Sequence, residues 1–288
     1  MQIEDWKKAG RISAEALECG RLLIVKGSSV LDVCNRVDEK IRQLGANPAF
    51  PSQMSLDNVA AHSCPDKDDK IILDTQVVKL DVGAEINGAI GDNACTVDLS
   101  GENSKLVDAS RDALNNAIKI IKPGTKIGEI GKVIQDTITS YGFTPVVNLS
   151  GHGLGEYNIH CKPTIPNIDT GDKTELIEGM IFAIEPFASK GSGRVKESGN
   201  STIFAQINSK PIRMGRDILQ KVESFKLLPF TKRWLDFPEF KLRMAFKQFE
   251  QLGIITSYPP LVDTGLISQA EHTVIVTKDG CEILTIFN

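Results

Sequence analysis

The chain has 288 residues, 41% of them hydrophobic and 24% charged, with a formal net charge of −4. This is the composition of a globular protein with one large domain or two modest ones. The small negative balance excludes a global electrostatic drive toward nucleic acid or anionic membrane. No apolar run is long enough to span a bilayer, and the opening "MQIEDWKKAG" lacks the form of a secretory leader. Six cysteines lie scattered without a C-x-x-C pair. That argues against a zinc ribbon or a disulfide framework and fits a reducing, cytoplasmic setting.

In chain order, Trp6, Ala9, Ile12, Ala16, Leu17 and Leu23 recur at helical spacing and predict a helix within 3–26. "KGSS" (26–29) breaks it. Ser29, with Asp32 three residues later, reads as a new helix start. Val33, Val37, Ile41 and Leu44 carry that second helix to Gly45. The whole unit recurs 97 residues on, where Ala16, Leu17, Gly27, Gly45 and Pro48 reappear as Ala113, Leu114, Gly124, Gly142 and Pro145. Two similar halves are implied, each a helix pair followed by strands. Chance likeness of two amphipathic pairs is the competing reading, and the matched glycines weigh against it.

Strands are expected at 71–81, 92–98, 144–150, 180–187 and 273–287, the last folding back at Asp279-Gly280. Between 208 and 264 the pattern turns helical and aromatic, with a modest excess of Lys and Arg. We read that segment as an inserted helical subdomain on a body made of 1–207 plus 265–288. A lid or wall over a cleft fits it better than a nucleic-acid-binding helix pair, since charged helix faces are usually just solvated.

"KLDVGAEINGAIGDNACTV" (79–97) is a hairpin sequence, because Asn87-Gly88 suits a two-residue turn with positive φ at both positions. A turn there sets Ile86 opposite Ala89, Gly83 opposite Asp92 and Asp81 opposite Ala94. Asp81 and Asp92 then share one face, with Gly83 and Ala94 leaving space around them. Two unpaired anions in such a place repel each other and lose hydration, so something positive should lie between them. A solvent-facing edge hairpin is the plainer reading.

Further acids sit in apolar strand contexts: Glu185 in "MIFAIEPF" and Glu271 in "AEHTVIV". A buried glutamate there costs several kcal/mol unless it is paired or bound to a cation. Each could also be a salt-bridged structural acid. Of four histidines, three stand in small-residue or glycine-flanked settings: His62 in "AAHSCP", and His152 and His160 in "GHGLGEYNIH". Asp81, Asp92, His152, Glu185 and Glu271 form a hard, oxygen-rich donor set. It suits two divalent ions such as Mn²⁺, Fe²⁺, Co²⁺ or Zn²⁺, held ~3.5–4 Å apart by bridging carboxylates.

The order Asp, Asp, His, Glu, Glu and the two-half repeat resemble the dinuclear peptidases of the α+β pita-bread (creatinase/aminopeptidase-like) fold. "AFPSQMSLDNVAAHSCP", "LDVGAEINGAIGDNACTV", "GHGLGEYNIH", "FAIEPF", "YPPLVD" and "SQAEHTVIV" are similar to motifs of the type II methionine aminopeptidases, the archaeal and eukaryotic group. The helical segment before the last glutamate is that group's hallmark. The resemblance implies a pseudo-twofold arrangement around a mostly antiparallel sheet.

It also implies a methionyl aminopeptidase, a metallo-exopeptidase in which a metal-activated hydroxide attacks the first peptide bond. Substrates would be peptides and newly made proteins with an N-terminal methionine and a small second residue. By resemblance, Asp81 holds one ion, His152 and Glu185 the other, and Asp92 and Glu271 bridge them. Glu185 would also shuttle a proton, and His62 and His160 would face the substrate carbonyl. Phe50, Ile159 and Tyr258 would line the methionine pocket. A cytoplasmic monomer is implied, without membrane or specific nucleic-acid partners; a transient ribosome contact is compatible with it. One departure is that "KGSGRVKESGNSTIFAQ" (190–206) lacks the histidine that eukaryotic members carry there. The competing readings are a proline-directed peptidase of the same fold, or a relative that has lost catalysis and binds RNA or protein.

Overall fold

The computed structural model describes residues 2–212 and 214–287. Helices α1 (Ile3–Leu23) and α2 (Val30–Gln43) open the chain. Ser29 caps α2 by accepting the Asp32 N–H, as its position suggests. The first helix stops at Leu23, short of 26, because Lys26-Gly27 already forms a turn. Helices α3 (Ser104–Lys119) and α4 (Ile127–Ser140) repeat the pair. The bounds of α4 are those of α2 moved by the 97-residue repeat. Gly27 and Gly124 both take positive φ, as do Gly45 and Gly142, so the turns repeat with the helices.

Each helix pair covers its own sheet. In the first half, strand Val77–Ile86 pairs antiparallel with Asn47–Pro48, Gln53–Leu56 and Ala89–Asp98. The hairpin register is the expected one: Ile86 opposes Ala89, Gly83 opposes Asp92, and Asp81 opposes Ala94. Its strands run longer toward the turn than 71–81 and 92–98, because the antiparallel ladder continues unbroken up to Ile86 and Ala89 beside Asn87-Gly88. Residues 71–72 lie outside the strand, with Ile72 bridged to Ser29.

In the second half the sheet order is Cys281–Ile283, His272–Val276, Ile181–Ile184, Ser150–Gly155, Asn158–Pro166, all antiparallel. The segment 180–187 is not one strand. Ile181–Ile184 belongs to this sheet, whereas Phe187–Ser189 pairs with Ile267–Gln269 in another. Pro186 has no N–H to continue the ladder, and the chain changes sheets there. Glu271 stands at the matching break between Ile267–Gln269 and His272–Val276. The C-terminal hairpin is likewise shorter than 273–287: its second strand ends at Ile283.

The two halves meet at an isolated antiparallel bridge between Ala94 and Glu271, whose backbones exchange hydrogen bonds. Thr273 reinforces the seam, with its hydroxyl donating to the Asp92 carbonyl and accepting the Asp92 N–H, both at 2.8 Å. Helices α5 (Arg216–Glu223) and α6 (Glu239–Gln251) pack on each other through Ile218, Val222, Leu242, Phe246 and Phe249. Phe204, on strand Ile203–Gln206, joins that core, and strand Ile255–Tyr258 pairs beside it.

Candidate metal and substrate site

At the seam lies a cavity of about 240 Å³. All ten residues singled out from the sequence line it: Asp81, Asp92, His152, Glu185 and Glu271, with His62 and His160, and with Phe50, Ile159 and Tyr258. The hairpin supplies the first two acids. The sheet breaks supply the two glutamates, where strands leave the ladder and free a side chain to face the gap.

The donors crowd one another. Ligand-capable atoms of Asp92, His152 and Glu271 lie within 4.8 Å of each other. His152 Nε2 is 3.5 Å from Glu185 Oε1 and 3.8 Å from Asp92 Oδ2. Asp92 and Glu271 are each only 2% exposed. Burial lifts the Asp81 carboxyl to about 7. Burial, then the Asp81 charge, raises Asp92 well above the usual carboxylate range. Burial and the neighbouring carboxylates do the same to Glu185 and Glu271. Burial, with some help from His160, lowers His152 to about 3 and His62 to about 4, so both rings are neutral near pH 7.

Four crowded carboxyls, Asp92 and Glu271 buried and Asp81 and Glu185 partly so, without one Lys or Arg among the cavity-lining residues, are an unstable arrangement on their own. Asp81 Oδ1, Asp92 Oδ1 and His152 Nδ1 are buried without a hydrogen-bond partner among the described residues. The donors present therefore fit hard divalent cations: anionic oxygens, one neutral imidazole, and unsatisfied lone pairs. Gln53 and Gln269 reach in from beside the donors, donating to Asp81 Oδ2 and Glu271 Oε2, each at 3.4 Å.

His62 and His160 sit beside this cluster. The His152 and His160 rings meet edge-on at 4.6 Å, and His62 meets Tyr258 at 5.5 Å. His62 has φ +63°, a conformation that non-glycine residues rarely take, and Gln53 Oε1 holds its N–H at 2.7 Å. Gly83 does not leave open space for the carboxylates. A Cβ there would lie 2.2 Å from the Phe50 ring, so the missing side chain makes room for the cavity wall.

The cavity also has lining that sequence reasoning did not single out: Gln53, Ala61, Asn148, Leu149, Ser150, Phe187, Ile203 and Pro229. Most are apolar or neutral and carry no chemical signature. Ile203 falls in the stretch that lacks the eukaryotic histidine, and supplies an apolar surface there.

Residues 4–278 match metallopeptidase family M24. A methionine aminopeptidase from Archaeoglobus fulgidus is 44% identical, over 96% of both chains. The crystal structure of a methionine aminopeptidase from Thermotoga maritima superposes with a TM-score of 0.72 at 29% identity, covering 98% of this chain and 96% of that one. A prolidase from Pyrococcus furiosus shares the fold, with a TM-score of 0.66 at 20% identity over 99% of this chain and 64% of its own. The chain therefore belongs to metallopeptidase family M24, among the methionine aminopeptidases.

Proposed function

We propose that the chain releases methionine from the amino terminus of peptides and newly made proteins whose second residue is small, and that it works in the cytoplasm as a monomer. The observation that carries this reading is the single cavity shared by five metal-competent donors, two neutral histidines and an apolar wall. We take Asp81, Asp92, His152, Glu185 and Glu271 as ligands of two divalent ions. The chemistry such ions supply is Lewis-acid activation of water near neutral pH and anchorage of a free α-amine.

The chain's own groups do the rest. Phe50, Ile159, Ile203 and Tyr258 offer apolar surface to the methionine side chain and exclude water from it. The donors and this wall share one cavity of about 240 Å³, which favours a small second residue. Glu185 accepts and returns the proton. His62 and His160, uncharged, donate hydrogen bonds to the carbonyl oxygen as negative charge grows on it. Residues 208–264 serve as an insertion subdomain flanking the cavity on a catalytic body of 1–207 plus 265–288. No helix among the described residues is long and apolar enough to cross a membrane.

The test is to strip the protein with chelator and restore Mn²⁺, Fe²⁺, Co²⁺ or Zn²⁺ singly. Methionine release from Met-Ala-Ser is then compared with cleavage of an X-Pro dipeptide. Methionine release that returns with metal supports the reading. Cleavage of the X-Pro dipeptide alone would replace it with a proline-directed activity.

A further inference from the structure

A buried ion pair outside the donor set ties the insert to the body beside the site. Arg233 Nη2 lies 2.6 Å from Asp38 Oδ2 on α2, with the two side chains only 5% and 2% exposed. Trp234 Nε1 donates to the same oxygen at 2.8 Å, and Asp38 Oδ1 accepts the Ser52 N–H at 3.0 Å. One carboxylate thus ties the insert to the segment that carries Phe50 and Gln53.

The guanidinium also reaches the loop that follows His62. Arg233 Nη1 donates to the Pro65 carbonyl at 3.3 Å and contacts Cys64 Sγ at 3.4 Å. Thr202, just before strand Ile203–Gln206, donates to the Cys64 carbonyl at 2.7 Å. Lys67 Nζ donates to the Leu235 carbonyl at 2.9 Å. Loop 62–67 is therefore clasped along its length by the insert and its root, and His62 stands at its head in a left-handed conformation.

We propose that the Asp38–Arg233 pair is a positioning element for His62, acting through loop 62–67. This rests on the reading above, in which His62 faces the scissile carbonyl. A buried charge that loses its partner is strongly disfavoured, so the pair fixes one placement of the insert against α2. That placement sets where Cys64 and Pro65 lie, and hence where the His62 ring points. A donor to a developing oxyanion must be placed within a fraction of an ångström to act.

A double-mutant cycle separates positioning from mere support of the fold. Arg233→Met should lower kcat about 10- to 100-fold while KM changes less than about threefold. In a His62→Ala background the same substitution should lower kcat by less than about threefold, because the group it positions is gone. Arg233→Lys should recover part of the loss. Should Arg233→Met not fold, Asp38→Asn removes one charge of the same pair and supports the same cycle with a smaller drop. In Zn²⁺-loaded Asp38→Asn, the His62 ring resonances should move while those of His272 stay in place. Equal fold-losses in both backgrounds, or an unmoved His62 signal, would overturn the positioning role. If His62→Ala alone left methionine release unchanged, the role given to His62 in the reaction would fail instead.

Discussion

Gln53 joins His62 to Asp81: its side-chain oxygen accepts the His62 N–H at 2.7 Å, while its amide nitrogen reaches Asp81 Oδ2 at 3.4 Å. One amide thus holds both the backbone of His62 and the carboxylate of Asp81, the residues proposed to face the substrate and to bind an ion. Gln53→Leu should lower kcat about 10- to 100-fold, the usual effect of losing a partner of a metal ligand. It should also weaken ion binding measured by titration calorimetry. An unchanged affinity would mean that the contact with Asp81 is incidental.

Asp92 and His152 belong to the tightest donor group. Asp92→Ala and His152→Ala should each cut peptide cleavage on the order of a thousandfold and reduce the ions bound per chain. Elemental analysis beside the activity assay checks both. A variant with full cleavage and unchanged ion content would remove the site assignment.

Removing the ions should leave a pH-sensitive protein. In the ion-free fold Asp81 titrates near 7, against an ordinary carboxylate value near 3.8. A carboxyl raised in this way stabilises the fold most when both states are protonated, below about pH 4. That contribution is lost as pH rises through about 7. Asp92, Glu185 and Glu271, raised in the same way, add to this trend and outweigh the opposite one from His62 and His152, so chelator-treated protein should melt lower at pH 8 than at pH 5. Added Mn²⁺ or Co²⁺ should restore most at the higher pH. A flat profile in calorimetry would contradict mutual burial of these acids.

Gly83 accommodates the Phe50 ring. Gly83→Ala should push that ring into the cavity, costing about 1–3 kcal/mol of stability as overpacking. It should raise KM for a methionine peptide about tenfold, with a smaller effect on kcat. Steady-state kinetics on Met-Ala-Ser would show a kcat-only effect if the ring lay elsewhere.

Much of the site was legible because its residues carry strong local signals. Asn87-Gly88 sets the hairpin register, which alone brings Asp81 and Asp92 to one face. Glu185 and Glu271 stood out as acids in apolar strands. The break at Pro186 was not read, because a short apolar run looks the same whether it stays in one sheet or changes to another. Ile203 and Pro229 carry no chemistry of their own and gain a role only from where the chain returns. The same holds for Asp38 and Arg233, which are far apart in sequence and ordinary in context. Lys79 is another case: nothing in "VKLDV" announces that its buried ammonium ends on the Asp57 carbonyl at 2.8 Å.

The donors are divided between the repeated halves, with Asp81 and Asp92 from one and His152, Glu185 and Glu271 from the other. Neither lobe holds the whole donor set. A drift of lobe against lobe would alter donor spacing directly, so turnover would double as a gauge of their alignment, and ions held across the seam would add a third tie to the Ala94–Glu271 bridge and the Thr273–Asp92 bonds.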